Sequence, residues 1–291
     1  MPREYATAGA FRRALEARLN KAAEAELIQV NRLRRQVAFD RLLARLFRFD
    51  PAPWVLKGGY ALELRFRTAR ATVDIDLTVH RIAATTEADA NQIVRDMLQD
   101  AARLSLGDWF EFTVGPPVLD LDAAPYGGAR FPVETRMDGR IFARFHLDAG
   151  IGDAVIQPVE IVECRDWLSF AGIAAPQVQM ISREQQFAEK LHAYTLPRSS
   201  TNSRVKDLID LALLIRSGGL SRTRAADALH LTFQRRRSHE LPAALAEPPQ
   251  DWERRFVALA EECQLEGDMD VVFTIVEEFF ERMRKRGGGR R

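Results

Sequence analysis

The spacing at which apolar residues recur changes twice along this chain, and those two changes restrict what it can fold into. From Thr7 to Phe49 they return every three or four positions, as at Phe11, Leu15, Leu19, Leu33, Val37, Leu42 and Leu46, with almost no helix breaker. That is the pattern of one long or two shorter amphipathic helices. The prolines of "DPAP" at Asp50–Pro53 end it, because proline removes a backbone donor and pushes its predecessor out of the helical region. From there to about residue 165 the pattern is that of short strands: "WVLK", "TVDIDLTV", "WFEFTV", "RFPVETRM", "RIFARFHLDAG" and "PVEIVEC", set off by Gly, Pro and Asp clusters. Two helical stretches interrupt them, "GGYALELRF" and "TTEADANQIVRDMLQDAARL", the second opened by a capping-type threonine. After "AGIAAPQVQM" the helical period returns and persists to the end.

The expected fold class is therefore α+β with mixed α/β character. A central mixed sheet carries an N-terminal helical lobe and a C-terminal helical bundle. The boundaries fall at residues 1–50, 51–175 and 176–291. At 291 residues the chain is long enough for one large core or two modest ones. No apolar run approaches the roughly 20 residues needed to span a bilayer, and the first residues lack the apolar stretch of a signal peptide. A cytoplasmic protein with no membrane partner is expected. Cys164 and Cys263 stand far apart, in no CxxC or Cys/His cluster, which indicates neither a disulfide framework nor a zinc site.

A net charge of +1 hides a strong asymmetry. Residues 1–70 hold 15 Lys and Arg against 7 Asp and Glu, whereas residues 71–180 hold 8 against 17. A basic lobe before an acidic centre suits an enzyme holding a polyanion beside metal-binding carboxylates, although solvated helix faces give the same count.

The acidic centre contains "VDIDLTV". In a strand, Val73, Ile75, Leu77 and Val79 would share one face and Asp74 and Asp76 the other. Two carboxylates roughly 7 Å apart along a strand either converge on Mg²⁺ or Mn²⁺ or stand solvated at a sheet edge. "RIFARFHLDAG" alternates likewise, placing Arg144, His146 and Asp148 on one face and offering a third acid on a strand that could pair beside the first. Three neighbouring acids repel unless a cation lies among them. Upstream, Gly58 and Gly59 can bring backbone N–H groups against an anion at a helix start.

Further along, Lys190 lies against the apolar stripe of Phe187, Leu191 and Tyr194. It either snorkels to water or grips phosphates as a point charge. Asp207 and Asp210 share a face of the next helix, and either could orient that lysine. The loop between the two helices adds Arg198, Arg204 and Lys206.

The order "KGG-x-AL", a basic spacer and "DIDL", followed by "EKLHA" and "VKDLIDL", resembles the AbiEii/MenT nucleotidyltransferase toxins, part of the DNA polymerase-β-like nucleotidyltransferase superfamily. The resemblance spans roughly Val55 to Ile215. It implies a metal-dependent enzyme that transfers a nucleotide from an NTP to the 3′ end of RNA, of tRNA in particular, arresting growth unless a cognate antitoxin opposes it. It further implies metal binding by Asp74, Asp76 and Asp148, a triphosphate held by Gly58, Gly59 and the residue after them, and catalytic roles for Asp74, Asp76, Lys190 and Asp210. Lys57, Tyr60, Asp207 and Arg204 complete the expected substrate contacts. Tyr60 departs from the pattern, where a small hydroxyl residue is usual. The arginines of the basic lobe, Arg32, Arg34, Arg35, Arg41, Arg45 and Arg48, are the expected RNA contacts. The residues also admit a metal-dependent nuclease, or an RNA- or protein-binding module with a degenerate site.

Overall fold

The computed structural model describes residues 4–80, 82, 86–121, 124–197 and 204–287. Arg198 and the four C-terminal residues lie outside them. Two compact units are present: residues 1–60, 71–152 and 161–180 form the first, and residues 61–70, 153–160 and 181–291 the second.

The first unit opens with two helices, α1 (Ala8–Glu26) and α2 (Val30–Leu46). They are separate because Leu27 takes a left-handed conformation, φ 54°, and ends α1. Thr7 caps α1 by accepting from the Ala10 N–H. Phe11, Leu15 and Leu19 on α1, and Leu33, Val37, Leu42 and Leu46 on α2, are buried, as their spacing requires.

The unit carries nearly the whole of a mixed sheet built from β1 (Trp54–Lys57), β2 (Asp74–Val79), β3 (Glu111–Val114), β4 (Leu119–Asp120), β5 (Gly128–Met137), β6 (Arg140–Ile151), β7 (Glu160–Glu163) and β8 (Gln177–Met180). The strand order is β3-β5-β6-β2-β1-β8-β7, with β4 beside β5. β1 runs antiparallel to β2 and parallel to β8, and β2 runs parallel to β6. A parallel pair needs a long crossover, and between β2 and β6 it contains α4 (Glu87–Ala102), capped by Thr86. α3 (Gly58–Arg65) starts directly from the end of β1. The fold class is the one expected. β8, in "PQVQM", adds a strand that the sequence pattern did not separate from the loop before it.

Two arginines of the basic lobe are not surface groups. Arg41 Nε donates to Asp108 at 2.7 Å, and Arg45 pairs with the same carboxylate at 2.9 and 2.7 Å and donates to the Phe110 carbonyl at 2.9 Å. All three side chains are buried. Arg41 and Arg45 are therefore corrected from expected RNA contacts to internal cations tying α2 to the start of β3, because a buried guanidinium needs a paired anion. Burial alone would raise the Asp108 pKa, but Arg45 and Arg41 outweigh it and hold the carboxyl below its usual range.

In the second unit α5 (Arg183–Thr195), α6 (Val205–Arg216), α7 (Arg222–Arg236), α8 (Glu253–Glu262) and α9 (Met269–Gly287) enclose a core that includes Phe187, Leu191, Leu208, Leu211, Phe256, Val276 and Phe280. Ser182 and Ser221 cap α5 and α7. Among the described residues no helix is long and apolar enough to cross a membrane.

Asp108→Ala would leave two guanidiniums buried without their anion and is expected to lower unfolding free energy by about 3–5 kcal/mol, measured by urea denaturation. Because the folded Asp108 pKa is depressed, its contribution is present above the unfolded value of about 4 and lost as pH falls through the folded value. The wild-type advantage should accordingly shrink only in acid.

Candidate active site

The register of three strands sets the site. Asp76 lies opposite Asp148 and Asp74 opposite His146 in the parallel β2–β6 pair. In the antiparallel β5–β6 pair Arg130 lies opposite Asp148 and Pro132 opposite His146. Cross-strand partners share a face and side chains alternate along each strand. One face therefore carries two successive rows, Asp76–Asp148–Arg130 and Asp74–His146–Pro132. Ile75, Leu77, Phe145 and Leu147 are buried on the other. Val73 was expected with them, but it precedes β2 and is 54% exposed, so the apolar alternation begins only at Ile75.

Beside the first row, β1 ends at Lys57 opposite Asp76, and the chain turns into α3 through Gly58 and Gly59. Gly58 has φ +67°, and a Cβ there would fall 2.0 Å from Asp76 Oδ2. A Cβ on Gly59 would fall 2.6 Å from Thr72 Oγ1. The pair is glycine because the backbone presses against Asp76 and Thr72 and one residue is left-handed. The Gly59 N–H points at Asp76 Oδ2, 3.3 Å away.

A group that the sequence reading missed lies among the acids. Arg130 donates through Nε and Nη2 to the two oxygens of Asp148, each at 2.7 Å, and its Nη2 lies 3.3 Å from Asp74 Oδ2. His146 Nδ1 is 3.5 Å from Asp74 Oδ1. The bidentate bond to Asp148, with the nearby charges, stabilises the charged guanidinium and raises its pKa. Arg130 alternates with Phe131 and Val133 on β5, so only the pairing of β5 with β6 could have revealed its position.

Three carboxylates from adjacent strands are oxygen donors of the kind that Mg²⁺ or Mn²⁺ takes, and the bare glycine backbone leaves Asp76 room. The donors fit such an ion in kind. Among the described residues, no three His, Cys, Asp or Glu side chains are gathered so as to hold a metal as they stand. Arg130 is the cation that spans Asp74 and Asp148.

Tyr60, expected to touch the triphosphate, is corrected. It is 2% exposed, and its hydroxyl donates to Asp40 Oδ1 at 2.5 Å, away from the acidic rows. Trp167 Nε1 donates to the other Asp40 oxygen at 2.8 Å. Burial pushes the Asp40 pKa up to about 6, against hydrogen bonds from Tyr60, Cys164 and Trp167. A tyrosine at this point of α3 anchors the helix to α2 because its reach carries the hydroxyl past the backbone cradle.

The second unit holds the other expected residues. Lys190 Nζ lies 2.7 Å from Asp210 and 3.1 Å from Asp207, and Arg204 lies 3.3 Å from Asp207. Asp210 is fully buried and also accepts both prongs of Arg70, at 3.0 and 2.8 Å. Burial opposes the charge on Lys190, but Asp210 and Asp207 outweigh it and raise the lysine pKa. The ammonium is thus pinned between carboxylates and does not snorkel free. Of the two acids left open by the sequence, Asp210 is the more enclosed and Asp207 the one shared with Arg204.

A serine and histidine also meet in this unit. Ser238 Oγ lies 2.8 Å from His192 Nε2, but the group near His192 Nδ1 is Arg236, at 3.5 Å. Burial, helped by Arg236, pulls the His192 pKa down to about 3. Among the described residues no carboxylate is hydrogen-bonded to its ring, and with so low a basicity this histidine is a poor general base.

Acids on neighbouring strands beside a glycine turn that opens a helix form an arrangement suited to a nucleoside triphosphate, and the class of protein is a nucleotidyltransferase. The family model described as nucleotidyl transferase AbiEii toxin, type IV toxin–antitoxin system, matches residues 41–278, and the chain belongs to that family. The resemblance carried by the two sequence motifs therefore holds. Among solved structures, MenT4, a nucleotidyltransferase toxin of Mycobacterium tuberculosis H37Rv, shares the fold with TM-score 0.56 at 17% identity, over 93% of this chain and 97% of that one. JHP933 of Helicobacter pylori aligns at 15% identity and TM-score 0.46, over 87% of this chain and 95% of its own. No curated protein matches the sequence significantly.

Arg130→Gln removes the cation that competes for Asp74 and Asp148, and should tighten Mn²⁺ binding about tenfold or more, read by electron paramagnetic resonance without nucleotide; unchanged affinity would mean that Arg130 does not compete. Tyr60→Phe should leave the KM for NTP within about twofold while costing about 1–2 kcal/mol of stability. Asp40 ionises as pH rises through about 6, so the cost of losing its donor should be larger at pH 8 than at pH 5.

Proposed function

We propose that this nucleotidyltransferase transfers a nucleotide from an NTP to the 3′ end of RNA, specifically the acceptor end of tRNA, with Mg²⁺ or Mn²⁺ held by Asp74, Asp76 and Asp148. The observation that carries this reading is the row setting Asp76 directly beside Asp148, with the Gly58–Gly59 turn against it. Loss of a usable tRNA 3′ end would stop translation and growth, and a cognate antitoxin would oppose this in the cytoplasm.

A bound divalent cation supplies Lewis-acid polarisation of the α-phosphate and eases deprotonation of the acceptor hydroxyl. The chain's own residues position the reactants. Gly58, Gly59 and Lys57 receive the phosphates, and His146 Nδ1 lies 3.5 Å from Asp74. The acceptor oxygen bonds to the α-phosphorus, the bond to the β-phosphate bridging oxygen breaks to release pyrophosphate, and the hydroxyl proton passes to solvent water. Positioning and charge neutralisation supply most of the rate in such a transfer. Lys190, held by Asp207 and Asp210 with Arg204 alongside, is proposed as a further phosphate contact on the order of the two sequence motifs.

The test is incubation of the purified protein with each α-labelled NTP, Mg²⁺ and total RNA. Label should enter RNA 3′ ends with release of pyrophosphate, and Asp148→Asn should reduce the rate by about two to three orders of magnitude. RNA shortened without any NTP would replace this reading with a nuclease.

A further inference from the structure

The rows of the sheet continue past the carboxylates. Beyond Asp74–His146–Pro132, the next residues on the same face are Arg144 and Glu134, paired across β6 and β5, with Thr113 of β3 opposite Glu134. This third row and the second line one wall of a cavity of about 730 Å³, which Val73 and Arg35 also border. Its size is that of a pocket for one small organic ligand. Asp74 forms part of the lining, so a molecule seated here has an edge at the acidic rows.

Two features give the cavity a direction and a chemistry. The Gly58–Gly59 turn presses on Asp76 from the β1 side of β2, whereas the cavity opens from Asp74 toward β5 and β3 on the other side. Phosphoryl transfer is in line, with the acceptor entering opposite the departing pyrophosphate. A triphosphate at the glycine turn leaves the cavity for the acceptor. The lining combines the half-exposed Val73 and Pro132, an apolar ledge for a base, with the guanidinium groups of Arg35 and Arg144 and the imidazole of His146. Arg35 is partly buried at the border of the cavity, and its Nε has no hydrogen-bond partner among the described residues. Glu134 is bound by Arg136 and Arg144, which limits its repulsion of a phosphate.

We propose that this cavity is the subsite for the terminal nucleotide of a single-stranded RNA 3′ end. Its base lies on Val73 and Pro132, and its 5′ phosphate meets Arg35 and Arg144. Single-stranded ends are where proteins read RNA by stacking and polar contacts together. The assignment rests on the RNA-directed function proposed above and names its acceptor-side residues. It makes Arg35 and Val73 determinants of acceptor affinity rather than of nucleotide affinity.

The experiment has two arms. A 5′-fluorescein single-stranded oligoribonucleotide is titrated into the full-length wild type, Arg35→Ala and Val73→Glu without NTP, followed by anisotropy. Both variants should weaken binding about tenfold, as loss of one charge-assisted contact or gain of a repulsive charge would, and Arg35→Ala should reduce the salt slope by about 1. Val73→Glu changes an exposed side chain and so tests the site even if Arg35→Ala disturbs folding. In the second arm, steady-state transfer is measured with RNA and NTP varied separately; the KM for RNA should rise in both variants and that for NTP should stay within about twofold. A rise in the NTP KM alone would make the cavity the base pocket of the incoming nucleotide, and unchanged RNA binding in both variants would overturn the assignment. Wild-type protein that binds the oligonucleotide through these residues yet labels no RNA with any NTP would sink the proposed function and leave the subsite standing.

Discussion

The parallel pairing of β2 with β6 is the constraint from which the rest of the site follows. It joins strands some seventy residues apart in the sequence and puts Asp76 level with Asp148. A slip of one residue would turn one strand's carboxylates into the core and its leucines outward, which the buried Ile75, Leu77, Phe145 and Leu147 forbid. Hydrophobic burial on one face therefore fixes the positions of charges on the other. The same logic passes through the β5–β6 ladder to Arg130, Pro132 and Glu134, so that one register aligns acids, counter-ion and cavity wall.

Concentrated charge is handled in two ways, exposed in one place and buried in others. In the first unit, Arg130 spans acids that remain partly accessible. Asp108, deeply buried between Arg41 and Arg45, cannot exchange its partners without leaving the interior. In the second unit Asp210 is equally buried and holds both Arg70 and Lys190, while Asp207 divides its oxygens between Lys190 and Arg204. A lysine held this firmly has little freedom to choose among partners, which suits a fixed point charge.

The departure at Tyr60 shows how a motif can be retained in backbone and altered in side chain. The two glycines keep the close approach to Asp76 and Thr72 that only they allow. The next residue has been redirected into the interior, where its hydroxyl meets Asp40 on α2. Cradle and anchor are thus adjacent in sequence but face different surroundings, the backbone serving one and a long side chain the other.

The sequence by itself determined the alternation of helix, strand and helix, the left-handed-capable glycines that open α3, the common face of Asp74 and Asp76, and the order of motifs that marks the family. These follow from local periodicity, breaker residues and short spacings, which act within a few residues. What only the tertiary structure decided were pairings between distant segments: that Asp148 lies beside Asp76, that Arg130 stands among the acids, that Arg41 and Arg45 are internal, that Arg70 shares Asp210 with Lys190, and that Tyr60 turns inward. An arginine written as a surface charge and one buried against a carboxylate have the same letters around them. Which one it is depends on the anion that another strand or helix brings within about 3 Å, and no local pattern carries that information.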